Sequence, residues 1–257
     1  MITLTTTLSV LLMILLPVAL AAALRRRYPA PWLLFCAGML TFTVSQIVHF
    51  PLNEWLADIG LLPQPGVQDR PLWQTALVVG LTAGLCEELA RAAGYALLKR
   101  VRDVSDGIML GLGHGGIESM VFGGVLTAAT FGSLLPLVGQ DLTQMDFLPA
   151  QIEAIQLTIQ RLMGNPWNLF LPLVERLGAI AIHVVFSLIV LQAFRCRQPL
   201  YVLLAIAYHA AIDMVAVLVS NTYTDPYVVL DIEALVLLPG WAWMVVFLRR
   251  QTQALPL

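Results

Sequence analysis

Seven stretches of about twenty apolar residues fill most of this chain, and four of them end in a cluster of arginine or lysine. A bilayer core needs roughly 20 apolar residues per crossing helix, so each stretch is long enough to span one. They run from about Leu4 to Leu24, Trp32 to Trp55, Leu72 to Leu98, Gly107 into the 120s, Leu169 to Phe194, Leu200 to Val219 and Val228 to Leu248. Only 12% of the 257 residues are charged, about half the share in soluble domains. Nothing the size of a soluble domain remains outside the spans. The chain reads as an all-α polytopic membrane protein with about seven transmembrane helices, one integral-membrane domain over residues 1–257.

Basic residues orient such a chain, because cytoplasmic loops carry the excess of Lys and Arg. Of 14 basic residues, ten fall after the first, third, fifth and seventh spans: Arg25 to Arg27, Lys99 to Arg102, Arg195 with Arg197, and Arg249 with Arg250. Alternating spans put all four clusters on one side, with the N-terminus outside and the C-terminus cytoplasmic. The first span has no positive charge before it and three arginines after it, the reverse of a secretory signal. Residues 149–163 mix Ile152, Ile155 and Ile159 with Gln and Glu. They read as an amphipathic helix on the outer surface. The expected location is a bacterial cytoplasmic (inner) membrane.

Charges inside such spans are costly and by default mark a functional site. Glu87, Glu88 and Arg91 lie mid-span, with Arg91 close enough to pair with one glutamate at helical spacing. All four histidines, His49, His114, His183 and His209, lie in apolar spans, and Glu118 and Asp213 each follow a histidine by four residues. At 1.5 Å per helical residue, Glu87, His114, His183 and His209 come out about 15 to 18 Å from the basic side. Glu118 and Asp213 lie one turn deeper, at about 21 to 22 Å. His49 counts to about 27 Å, near the outer surface, and is set apart. Four spans within residues 72–219 thus bring polar groups to one layer, a core of four helices.

Three imidazoles with carboxylates at one depth suit a divalent metal, Zn²⁺ above all, with a carboxylate beside it as general base. Each pair alone is a weak signal, since a lone intramembrane histidine is more often a helix–helix contact. A transporter or proton-coupled carrier would use the same groups as a relay, and a non-catalytic scaffold would use them structurally. There is no HExxH, no GxSG and no GxGD. No basic patch is interleaved with aromatics, so nucleic acid is not an expected partner. The three cysteines show no CxxC spacing. The expected partners are the lipid bilayer and a membrane protein or peptide substrate.

At these residues the chain resembles the YhfC-type membrane peptidases. The motifs are Glu87-Glu88-x-x-Arg91, His114-Gly-Gly-Ile-Glu118, Glu175-Arg176 with His183, and His209-x-x-x-Asp213. That family is grouped with the CAAX prenyl protease and bacteriocin-processing superfamily of glutamate-dependent intramembrane proteases, alongside PrsW-like proteins. The resemblance implies that the paired glutamates activate a water. It also implies that His183 and His209 are ligands, assisted by Asp213, and that His114 and Glu118 occupy the second motif. The arginine stands at EExxR rather than the EExxxR of prenyl proteases, so a prenyl-protein substrate does not transfer. The reading is therefore an intramembrane metalloprotease-like hydrolase with Glu87, Glu88 and Arg91 in catalytic positions. His114, Glu118, His183, His209 and Asp213 surround the metal. Adjacent residues point about 100° apart on a helix, so Glu87 is expected as the base and Glu88 as the partner of Arg91.

Overall fold

In the computed structural model, which describes residues 2–64 and 69–253, the chain is helical with no strand among those residues. The long helices are α1 (Ile2–Arg27), α2 (Trp32–Asp58), α3 (Leu72–Leu97), α4 (Val104–Glu118), α7 (Leu171–Arg195), α8 (Leu200–Thr222) and α9 (Pro226–Gln253). A π-helical segment, Ser119–Val125, joins α4 to α5 (Leu126–Leu134), and α6 (Pro149–Gly164) covers the stretch read as amphipathic.

Among the described residues, six helical stretches are long and apolar enough to cross a membrane: α1, α2, Val104–Leu137, Trp167–Arg195, α8 and Pro226–Gln251. The apolar tail after the fourth span continues it, so that Val104–Leu137 is one helical run of 34 residues. At 26 residues, α3 is as long as α1. Composition separates it from the six, because Glu87, Glu88 and Arg91 interrupt its apolar run. All three are buried inside the protein, which is how a membrane helix tolerates charge.

Helix α3 lies against α2, α7 and α8, while α4 lies against α2 and α7. The four motif helices therefore enclose a common interior, and α2 closes it as a fifth wall. Small residues set the spacing. A Cβ on Gly84 would come within 2.7 Å of the Ile206 carbonyl oxygen on α8, and one on Gly115 within 2.9 Å of the His183 Cβ on α7. Glycine at these two positions lets the backbones approach closely enough for the polar side chains to meet.

The helix ends follow ordinary capping chemistry. α4 begins at Asp103, whose backbone N–H donates to Asp106 at 3.3 Å. Asp103 is the cap, and Asp106, three residues on, reaches back to it. At the end of α3, Arg102 donates to the carbonyls of Leu98 (3.1 Å) and Tyr95 (3.4 Å), groups with no further helical partner.

On the far side, α9 leans on α7 and α8. Pro239 interrupts it. There the Tyr208 hydroxyl accepts from the Gly240 N–H at 3.0 Å and donates to the Val236 carbonyl at 2.7 Å. The hydroxyl is inserted into the helical bond that Gly240 would otherwise make four residues back.

Candidate active site

The charged residues of α3 face two different surroundings. Glu88 and Arg91 are fully buried. Arg91 grips Glu88 with two donors, Nε to Oε2 at 2.9 Å and Nη2 to Oε1 at 3.2 Å. Its remaining donors reach across to α7: Nη1 to the Ser187 hydroxyl (2.6 Å) and the His183 carbonyl (3.3 Å), and Nη2 to His183 Nδ1 (3.0 Å). Tyr95, one turn further, donates to the Ser187 carbonyl at 3.0 Å. Glu87, by contrast, faces a cavity of about 630 Å³.

That cavity lies between α7, α8 and α9. Its polar lining includes Glu87, Glu118, Arg176, His183, His209 and Asp213. Its apolar wall includes Ile182, Phe186, Leu230, Leu237, Trp241 and Met244. The layer counted along the separate spans is therefore one place in the structure.

Three side chains converge most closely. Glu87, His114 and His183 each offer one donor atom within 4.8 Å of the others. Oε2 of Glu87 lies 3.1 Å from Nε2 of His114 and 3.8 Å from Nε2 of His209. Nε2 of His209 is also 3.6 Å from the Asp213 carboxylate. Glu118 takes Arg176 Nη1 at 2.7 Å, and its other oxygen lies 2.5 Å from His183 Nε2. That second oxygen is buried, and the contact is too poorly aligned to give it a hydrogen-bond partner. Arg176 also pairs with Glu175. The tyrosine-sized ring of Phe186 stacks flat on His209 at 4.6 Å between centroids and holds its orientation.

The outward hydrogen bonds of two imidazoles fix which nitrogen faces the site. The Thr41 hydroxyl gives its proton to the Gly38 carbonyl (2.7 Å), so at 2.9 Å it accepts one from His114 Nδ1. His209 Nδ1 donates to Glu88 Oε1 at 2.8 Å, since a carboxylate gripped by arginine only accepts. In the neutral rings Nε2 is then unprotonated and turned inward, toward Glu87 Oε2. Imidazole lone pairs and a carboxylate oxygen that face one another need a proton or a metal ion between them. With Glu118 beside them, this donor set fits a divalent metal, and the Nδ1–H bonds are the usual outer support of metal-binding histidine.

Sequence reasoning missed the contribution of α2. Gln46 donates to Glu87 Oε1 at 3.0 Å, and His49 donates to Gln46 Oε1 at 3.3 Å. His49, set apart by its depth, stands two hydrogen bonds from Glu87, through Gln46. It also meets Thr82 (3.1 Å) and Asn53 (3.0 Å). The run Ser45-Gln46-x-x-His49 held the signal: two strong hydrogen-bonding side chains on one face of an apolar span. Thr41 and Ser187 carried none, because lone hydroxyls are common in membrane helices.

A family model described as "YhfC intramembrane metalloprotease" matches residues 12–234. A relative from Bacillus subtilis (strain 168), "Uncharacterized membrane protein YhfC", is 31% identical over 218 residues, covering 79% of this chain and 80% of the relative. No solved structure matches.

Proposed function

Because the chain belongs to the YhfC intramembrane metalloprotease family, we propose that it hydrolyses a peptide bond in a membrane-embedded or membrane-adjacent protein, with Glu87 as the general base. The observation that carries this reading is the placement of Glu87. One oxygen is held by Gln46, and the other faces two imidazole lone pairs beside a cavity with an apolar wall. An apolar wall accepts a segment that arrives from lipid, and a polar layer at mid-depth holds the water that hydrolysis consumes.

Glu87 takes a proton from a cavity water as that water attacks the scissile carbonyl, and returns it to the leaving amine. Gln46 keeps the carboxylate aimed during both transfers. Glu88 does not touch the reacting atoms. It orients His209 from behind, and Arg91 holds it there. His114 and His209 would hold a divalent cation, Zn²⁺ by donor type, with Asp213 and Glu118 facing the same space. Such an ion supplies Lewis acidity at the carbonyl and lowers the pKa of water. On the positive-inside pattern the N-terminus is outside, the C-terminus is cytoplasmic, and α3 crosses in addition to the six more apolar stretches.

The test compares cells producing the wild-type protein with cells producing Glu87→Gln, by mass spectrometry of new N-termini in the membrane fraction. Cleavage products present with the wild type and absent with Glu87→Gln are the expected result. Identical N-termini from both proteins reject Glu87 as the base. A transporter would instead move solute in proteoliposomes and leave no such products.

A further inference from the structure

The three imidazoles of the site do not face it in the same way. His114 and His209 donate from Nδ1 to groups behind them. His183 receives at Nδ1, from Arg91 Nη2 at 3.0 Å. A guanidinium can only donate, and all five of its N–H groups are engaged on Glu88, Ser187 and His183. His183 Nδ1 therefore carries no proton, and the neutral ring keeps its proton on Nε2, the nitrogen that faces Glu118.

A metal requires the opposite. It needs a lone pair at Nε2, with Nδ1–H donated to a carboxylate or carbonyl. With Arg91 on Nδ1, His183 could offer that lone pair only as an imidazolate. Moving the ring proton to Nδ1 would leave an arginine N–H facing an imidazole N–H in a fully buried place, and flipping the ring would leave it facing a C–H, each at the cost of an unmade hydrogen bond. α4 stands close on this side, where a Cβ at Gly115 would lie 2.9 Å from the His183 Cβ and 3.1 Å from its Cδ2.

We infer that His183 is the hydrogen-bond donor of the site rather than a metal ligand, and that Arg91 is the positioning residue that fixes its tautomer. The division of labour rests on the metalloprotease reading for His114 and His209; the tautomer stands on the Arg91 contact alone. Nε2–H faces Glu118, and a ring nitrogen of His183 lies within 4.8 Å of donor atoms of Glu87 and His114. A neutral imidazole N–H there is aimed to stabilise negative charge that develops on a carbonyl oxygen. Glu118, anchored by Arg176, sits against this N–H in the resting protein and yields it when a carbonyl enters.

The test uses the full-length protein labelled with ¹⁵N-histidine in lipid nanodiscs, because long-range ¹H–¹⁵N correlations report which ring nitrogen is protonated. The expected pattern has the proton on Nε2 in His183 and on Nδ1 in His114 and His209. Titration with Zn²⁺ then shifts the Nε2 resonances of His114 and His209 and leaves the His183 N–H in place. Loss of that proton on zinc addition overturns the inference. Zinc content gives the second readout. His209→Gln should weaken zinc binding beyond the ~100-fold reached by changes behind a ligand, whereas His183→Gln binds zinc like the wild type. Equal loss in both variants makes His183 a ligand and also overturns the inference. If the wild type takes up no zinc, the metal reading of His114 and His209 fails. The His183 tautomer then decides alone, with a proton on Nδ1 against the inference and one on Nε2 for it. In Arg91→Lys the His183 proton spreads over both nitrogens; an unchanged pattern removes Arg91 from the role.

Discussion

Glu88 and Glu87 are neighbours on α3, and about 100° of helix rotation separates their surroundings. Around Glu88 every strong group is satisfied: Arg91 uses all five donors, and Glu88 accepts from Arg91 and from His209. Glu88 does not line the cavity. Around Glu87 the accounting is less complete. Its second oxygen meets Nε2 of His114 at 3.1 Å and Nε2 of His209 at 3.8 Å, a Glu118 oxygen touches His183 without an aligned hydrogen bond, and the space opens to about 630 Å³. A satisfied buried network rigidifies a fold, whereas an unsatisfied one stores capacity to bind. One face of α3 is built to stay as it is, and the adjacent face is built to receive something.

The sharpest way to break this contrast is to change each glutamate alone. Glu87→Gln should lower cleavage by ~10²–10⁴-fold, the usual share of a general base, with the melting temperature unchanged. A variant that unfolds would place Glu87 in the structural network instead. Changing the closed face should do the reverse. Arg91→Met leaves Glu88 as an uncompensated buried carboxylate and should cost about 3–5 kcal/mol of stability, read as a lower melting temperature in detergent. Adding Glu88→Gln to Arg91→Met should recover part of that loss. No recovery would mean that the contacts of Arg91 to Ser187 and His183 outweigh its pair with Glu88.

Much of this contrast was legible in the chain before any fold was known. Arg91 three residues after Glu88 implied a local pair, and depth counting from the basic clusters placed Glu87, His114, His183 and His209 in one layer. Depth counting worked because it was measured from the ends of α3 and α7 and the starts of α4 and α8. It set His49 apart, since a count along one helix measures height and says nothing of how side chains link sideways. Gln46 bridges the difference by reaching from α2 to Glu87. The ring orientations were not legible at all. They depend on Thr41, Glu88 and Arg91 meeting histidines 73, 121 and 92 residues away in the chain, contacts that no local pattern encodes. The close approach of α4 to α7 at Gly115 and His183 likewise follows only from the fold.

Helix spacing gives a smaller test of the same comparison. Gly84 sits between the two glutamates' helix and α8, where a methyl group would meet the Ile206 carbonyl oxygen. Gly84→Ala should push α8 outward and cost about 1–3 kcal/mol, as overpacking does. Because His209 rides on α8, its bond to Glu88 should lengthen, so zinc binding should weaken together with stability. A loss of stability with zinc binding untouched would show that the closed face tolerates movement of α8.

Tyr208 offers the finest cut, on the open side. Its hydroxyl occupies the break in α9 at Pro239, between the Gly240 N–H and the Val236 carbonyl. Tyr208→Phe removes that bridge but allows α9 to close its own helical bond, so the cost should be only about 1 kcal/mol, the net worth of one hydrogen bond. The consequence is positional. Closing that bond straightens α9 between Val236 and Gly240, next to Leu237 and Trp241 in the cavity wall. A cysteine introduced at Ala216, which lines the cavity from α8, should react with a membrane-permeant maleimide at a different rate in the Tyr208→Phe background, with Cys36, Cys86 and Cys196 replaced in both proteins. An equal rate would mean that α9 keeps its bend without the hydroxyl. The shape of the open face would then be set by Pro239 and by packing on α7, independently of the residue that adjoins His209.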